Sequence, residues 1–197
     1  MPVKNIKEEK ILLRTKHKKI RNEYAIDARK KLDEILFKKF IELNEYKESE
    51  LLFAFVSTPI EINTFPILEK AIADGKILAL PKCRQDEPIM DFYCVTSLKQ
   101  LKRGKYSIME PVPAVCRQIT DFSAGLCLVP GLSFDLYGYR LGFGKGYYDR
   151  FLSRFKGVTA GLCYSRCIEQ KLPHGIYDKA VDIIITEKFT SNTRNVL

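Results

Sequence analysis

Five short, almost wholly apolar runs constrain the fold: residues 51–56 (LLFAFV), 76–81 (KILALP), 126–129 (LCLV), 158–163 (VTAGLC) and 182–186 (DIIIT). Each is strand-length and none alternates polar with apolar, so they read as strands buried on both faces. Strands of that kind belong to parallel sheets, whose faces are covered by helices. The segments between them supply such helices. Phe65, Leu68, Ile72 and Ala73 mark a short one that stops at Gly75, and another opens at Tyr148 and runs to Phe155. Strands alternating with helices predict βαβ units and a mostly parallel sheet. Residues 90–95 (MDFYCV) alternate less cleanly and are expected at a sheet edge.

Residues 4–43 contain neither Pro nor Gly and read as helix, divided near residues 22–27. Ile6, Leu13 and Ile20 recur at heptad spacing as one apolar face. Leu32, Ile35, Leu36, Phe40 and Leu43 follow a helical period in the second half. Residues 98–124 are rich in loop formers. With 197 residues and no linker or repeat, the expectation is one domain, residues 1–197, carrying an N-terminal helical arm.

Several function classes are poorly supported. No apolar run approaches the roughly 20 residues that span a bilayer. The first ten residues lack a signal-peptide core and the last lack a lipidation box, so a cytoplasmic protein is expected. Six cysteines form no Cys-x-x-Cys, and there are only two histidines, His17 and His174. That argues against structural zinc, and for buried free thiols. It also leaves little material for a histidine-dependent hydrolase. The net charge of +9 suits an anionic ligand. One acid-poor basic stretch covers residues 14–21. The other, from Arg140 to Lys156, coincides with a glycine cluster and favours a local phosphate site over a diffuse nucleic-acid surface.

That cluster carries the chemistry. Residues 128–150 read LVPGLSFDLYGYRLGFGKGYYDR: a strand, a turn-rich loop, then a helix start. Gly142, Gly144 and Gly146 allow close backbone approach and positive φ. The helix start presents free amides to an anion, and Arg140 and Lys145 add charge. The spacing matches neither the Walker A loop nor Gly-x-Gly-x-x-Gly. Asp149 is either a helix cap or a ligand for Mg²⁺ bridging to phosphate. Lys10 and Arg14, four residues apart, share a helix face and are either solvated or meet an anion.

The 128–150 segment closely resembles the signature of the 5-formyltetrahydrofolate cyclo-ligase family. The resemblance extends to Lys10 and Arg14, to STPIEI (57–62) after the first strand, and to YDKAVD (177–182) followed by ITE (185–187). It implies a three-layer α/β/α fold with a mostly parallel sheet, of the kind shared with sugar-phosphate isomerases and CoA transferases. It also implies ATP- and Mg²⁺-dependent conversion of 5-formyltetrahydrofolate to 5,10-methenyltetrahydrofolate. By position, Lys10, Arg14, Arg140, Leu141, Gly142, Phe143, Gly144, Lys145, Gly146, Tyr147 and Tyr148 are the expected ATP contacts. Val56, Glu61 and Phe143 through Tyr147 are the expected folate contacts. Arg140 and Lys145 are the expected catalytic cations, and Asp149 and Asp178 the metal ligands. Phe143 stands where relatives carry Arg or Tyr, there is no Trp, and residues 98–124 match poorly and receive no site residue. The expected partners are these small molecules, without nucleic acid or membrane, on a monomer. The competing readings are an ATP-dependent enzyme acting on another formamide or a thiamine-pathway substrate, and a basic RNA-binding module supported by net charge alone.

Overall fold

Two helices open the chain, α1 (Ile6–Asn22) and α2 (Ile26–Glu42), with the break where the sequence predicts it. The computed structural model describes residues 5–84, 86–104 and 108–195. Asn5 caps α1 by accepting from the Lys7 amide at 3.2 Å. Of the predicted α1 face, Ile6 is 45% exposed, whereas Leu13 and Ile20 are partly buried and Ile20 packs against the core; the fully buried α1 side chains are polar, His17 and Arg21. The reason is what α1 packs on: polar loops at the strand ends, whose carbonyls and carboxylates want donors. α2 buries Leu36 and Phe40 of its predicted apolar period, whereas Ile35 is 41% exposed. A short α3 (Asn44–Glu48) follows.

The strands then run β1 (Leu51–Phe53), β2 (Ile77–Cys83), β3 (Met90–Val95), β4 (Leu101–Arg103), β5 (Met109–Pro111), β6 (Gln118–Ile119) and β7 (Leu126–Val129). After them come β8 (Ser133–Asp135), β9 (Arg140–Leu141), β10 (Val158–Leu162), β11 (Ile168–Glu169), β12 (Ile183–Ile185) and β13 (Thr190–Asn192). The main sheet has the order β13-β12-β10-β7-β1-β2-β3-β6. Its centre, β12-β10-β7-β1-β2, is parallel, and β13, β3 and β6 join antiparallel. The fold is therefore α/β with a mostly parallel sheet. Two expectations need correction. Residues 90–95 are not an edge, because β6 pairs outside them at Phe92 and Tyr93. Only residues 51–53 of the first run are strand; the Ala54 amide still donates to the Ala79 carbonyl of β2 at 3.0 Å, and residues 55–56 then leave the sheet yet stay buried.

Helix α4 (Phe65–Ala73) carries the chain from β1 to β2, and α5 (Tyr147–Leu152) from β7 to β10. These crossovers move in opposite directions along the sheet. Because parallel crossovers are right-handed, opposite directions put the two helices on opposite faces, which makes three layers. On the α5 face the Phe53 ring meets Phe151, Phe155, Phe92 and Phe122 at centroid distances of 5.1–5.8 Å. Such edge-to-face clusters add packing energy beyond area burial. The reversal between β1 and β7 is a topological switch point, where an open α/β sheet leaves a crevice beyond its strand ends. Among the described residues no helix is long and apolar enough to cross a membrane.

Candidate active site

A cleft of about 380 Å³ opens at that switch point. Its floor is the chain leaving three neighbouring strands: Phe55 and Val56 after β1, Pro81 and Cys83 at the end of β2, and Pro130 after β7. Every residue singled out from the sequence lines this one cleft, from Lys10 and Arg14 through Val56 and Glu61 to residues 140–149 and Asp178.

The glycine loop is built from a small hairpin. β8 and β9 pair antiparallel, Ser133 with Leu141 and Phe134 with Arg140. Asp135, fully buried, organises the turn between them. Its Oδ1 accepts from the Tyr137 and Tyr139 amides at 3.0 and 2.9 Å, and its Oδ2 from the Leu172 amide at 2.8 Å. Gly144 and Gly146 then take φ of 93° and 71°, the left-handed region that side chains disfavour. Arg14 from α1 lies across this loop. Its Nε donates to the Gly142 carbonyl at 2.8 Å, and a Cβ on Gly144 would sit 3.1 Å from its guanidinium carbon. Partial burial draws the Arg14 pKa down, while nearby Asp178 opposes that shift.

The two acidic residues are each held by a cation. Lys10 Nζ donates to both oxygens of Asp178 at 2.7 Å, and the Gly175 amide donates to Oδ2 at 2.6 Å. Burial opposes ionisation of Asp178, but the Gly175 amide and the Lys10 ammonium outweigh it and hold its pKa below the ordinary value. Arg140 is buried. Its Nη2 donates to Asp149 Oδ1 and its Nη1 to the Lys179 carbonyl, both at 2.8 Å. The Arg140 guanidinium is thus committed to placing Asp149. Lys145 is exposed, and no hydrogen bond holds its ammonium among the described residues. Asp149 sits in the first turn of α5 and caps nothing; the cap position is Gly146. Phe143 is exposed, with the Lys18 ammonium 5.9 Å from its ring centre.

Across the floor, Glu61 is buried. Its Oε2 accepts from both the amide and the hydroxyl of Thr58 at 2.8 Å, which leaves Oε1 for other donors. Burial raises its pKa above the ordinary carboxylate value, with Thr58 and Arg21 pulling the other way. Arg21, buried in α1, joins the two loops that frame the cleft. It donates to the Ile60 carbonyl at 3.2 Å, to Gly131 at 2.6 Å and to Leu132 at 3.0 Å.

Sequence reasoning missed Thr58, Ile108, Glu110 and Asp135. Ile108 and Glu110 come from the segment that received no site residue. Glu110 is buried in the cleft wall, where it accepts from the Cys83 amide at 3.2 Å. Its only sequence signal is one acid between Ile108-Met109 and Pro111, which is too short to read.

Comparison with known proteins agrees with this geometry. Residues 6–187 match the model of the 5-formyltetrahydrofolate cyclo-ligase family. A probable 5-formyltetrahydrofolate cyclo-ligase of Caenorhabditis elegans is 35% identical over 153 residues, covering 75% of this chain and 74% of the relative. The Mus musculus 5-formyltetrahydrofolate cyclo-ligase is 31% identical over 176 residues, covering 83% of this chain and 87% of the relative. The solution structure of Aquifex aeolicus 5,10-methenyltetrahydrofolate synthetase superposes with a TM-score of 0.81 at 35% identity, covering 94% of this chain and 93% of that one. A Mycoplasma pneumoniae 5,10-methenyltetrahydrofolate synthetase, at 21% identity and TM-score 0.67 over 90% of this chain and 98% of its own, bears on the fold alone. Matched by sequence and by fold along most of its length, with the glycine loop and its cations in one cleft, the chain belongs to the 5-formyltetrahydrofolate cyclo-ligase family.

Proposed function

We propose that the chain closes 5-formyltetrahydrofolate to 5,10-methenyltetrahydrofolate at the expense of ATP, releasing ADP and phosphate. The observation that carries this reading is that one cleft combines a cation-bearing glycine loop with a buried, oriented carboxylate. The formyl oxygen of an amide is a poor leaving group. Transfer of the γ-phosphoryl group to it makes it a good one. The lone pair of folate N10 then attacks the formyl carbon, the carbon–oxygen bond breaks, the oxygen departs with phosphate, and the N10 proton passes to solvent. No nucleophilic side chain is needed. The protein holds the two substrates in line and neutralises charge on the moving phosphoryl group. Arg14, Lys145 and the amides of the glycine loop do this at the phosphate end, and Lys10 lies beside them. Glu61 accepts from the amino and ring N–H donors of the pterin, with Val56 and Tyr147 as apolar walls.

Asp149 and Asp178 are the residues that would hold Mg²⁺. Mg²⁺ is usually bound by one or two carboxylates, with phosphate oxygens and water completing its shell. Two carboxylates in the same cleft fit that need. When bound, it neutralises phosphate charge.

The direct test is growth of the methenyl-folate absorbance on mixing protein, 5-formyltetrahydrofolate, ATP and Mg²⁺, with ADP measured in parallel. ADP formed without the methenyl band, or formed faster with another formamide, would reject the reading.

The role of Glu61 makes a separate prediction. A hydrogen bond to a charged group contributes roughly 1.5–3 kcal/mol, so Glu61→Ala should weaken folate binding by about one to two decades and leave ATP binding within about twofold. Because burial raises its pKa, Glu61 ionises later than an ordinary carboxylate as pH increases. Folate affinity should therefore climb with pH through a midpoint above the usual carboxylate range, and Glu61→Gln should flatten that climb. Titrations of folate and nucleotide binding between acid and neutral pH decide both points.

A further inference from the structure

The chain segment that carries Glu61 has left the sheet. β1 ends at Phe53, and beyond the bond from the Ala54 amide to the Ala79 carbonyl at 3.0 Å no strand pairing holds residues 55–61. The Thr58 bonds orient the Glu61 carboxylate only relative to its own turn. Thr64, at the start of α4, clamps residues 55 and 57 through its hydroxyl and amide, and the two N-terminal helices hold the turn itself at residues 60 and 61. Arg21 of α1 donates to the Ile60 carbonyl. Arg29 of α2 donates through Nη2 to the carbonyl of Glu61 itself. The Arg29 guanidinium is in turn held in place: its Nε donates to Tyr164 Oη at 3.2 Å, and that hydroxyl donates to Asp33 Oδ1 at 2.5 Å. Tyr164, just past β10, is fully buried, and Asp33 lies one helical turn from Arg29. None of these three side chains lines the cleft.

We propose that Arg29 is a positioning residue for folate recognition: braced by Tyr164 and Asp33, it fixes the Glu61 main chain and thereby the direction in which the Glu61 carboxylate meets the pterin. A planar guanidinium suits the task because its fork reaches a carbonyl and a hydroxyl at once, which an ammonium cannot do with the same rigidity. Catalytic geometry is sensitive to displacements of about 1 Å. The proposal rests on Glu61 being the folate contact, and the experiment separates the two.

Steady-state kinetics would compare the unsubstituted chain with Arg29→Met, Arg29→Lys, Glu61→Gln and the double variant Arg29→Met/Glu61→Gln. Arg29→Met should raise the KM for 5-formyltetrahydrofolate about tenfold, leave the KM for ATP within about twofold, and keep the circular dichroism spectrum. Arg29→Lys should recover part of the loss. Residues acting through one another are non-additive, so adding Arg29→Met to Glu61→Gln should change the folate KM less than about twofold. Full additivity, an equal rise in both KM values, or an unchanged folate KM in Arg29→Met would each overturn the positioning role. Should Arg29→Met fail to fold, Tyr164→Phe removes only the bracing hydroxyl. A selective rise of about threefold in folate KM is then expected, and an unchanged value overturns the proposal. If Glu61→Gln alone leaves the folate KM unchanged, Glu61 is not the folate contact and the role of Arg29 falls with it. A rise in Glu61→Gln without one in Arg29→Met removes only the latter.

Discussion

Replacing Lys145 by alanine should lower kcat by about two to three decades, the range seen when one donor to a developing oxyanion is removed. The folate KM should move less than about threefold. The reason is where the charge grows. Negative charge spreads over the phosphoryl oxygens as the γ-phosphate leaves ADP, so a cation that meets them is worth more in the transition state than in the ground state. Among the cations of the loop, Lys145 is exposed to the cleft, whereas Arg140 is committed to Asp149 and the Lys179 carbonyl. Truncating Lys145 should not collapse the loop. Its backbone carbonyl and that of Gly146 accept from Arg150 at 3.4 and 3.1 Å, and Arg14 still anchors Gly142. Stopped-time assays of methenyl-folate formation, beside a melting curve, measure both halves of the claim. A folded variant with unchanged kcat would take Lys145 out of the reaction.

The same contrast between Lys145 and Arg140 marks how far the sequence could be read. Short apolar runs located β7 to the residue and the centre of the sheet closely, because a strand buried on both faces has no alternative environment. The glycine loop was legible because closely spaced glycines beside two cations have few other uses. Lys10 and Arg14 were legible as a pair, but not their partners, Asp178 and the Gly142 carbonyl, which lie far along the chain. The burial of His17 on α1 was not legible because a helix lying on loops buries donors, and the hydrophobic period looks only for apolar residues. β8, β9 and β11 escaped notice because strands of two or three residues carry no period. Arg21, Arg29 and Asp135 were unreadable for a simpler reason: a buried Arg or Asp differs from a surface one only in what the fold brings against it.

Asp149→Asn should raise the Mg²⁺ concentration for half-maximal activity by about tenfold or more, since losing even an outer partner of a metal ligand typically costs 10–100-fold in affinity. Asn keeps the shape and an oxygen acceptor but brings no negative charge to the cation. It should also cost stability without any ligand, because the buried Arg140 guanidinium loses its carboxylate. The Lys179 carbonyl and the Asn oxygen still accept from Arg140, so the loss is one charge-assisted bond weakened rather than a charge stranded. That is about 2 kcal/mol, or roughly 4–8 °C in Tm for a domain this size. Both effects follow from one geometry: Asp149 Oδ1 faces Arg140 while its carboxylate lines the phosphate end of the cleft. The stability loss should persist at any Mg²⁺ concentration, whereas the activity loss should be partly rescued by excess Mg²⁺. A variant that melts early but keeps the normal Mg²⁺ requirement would make Asp149 a counter-ion for Arg140 and nothing more, leaving Asp178 to meet the cation.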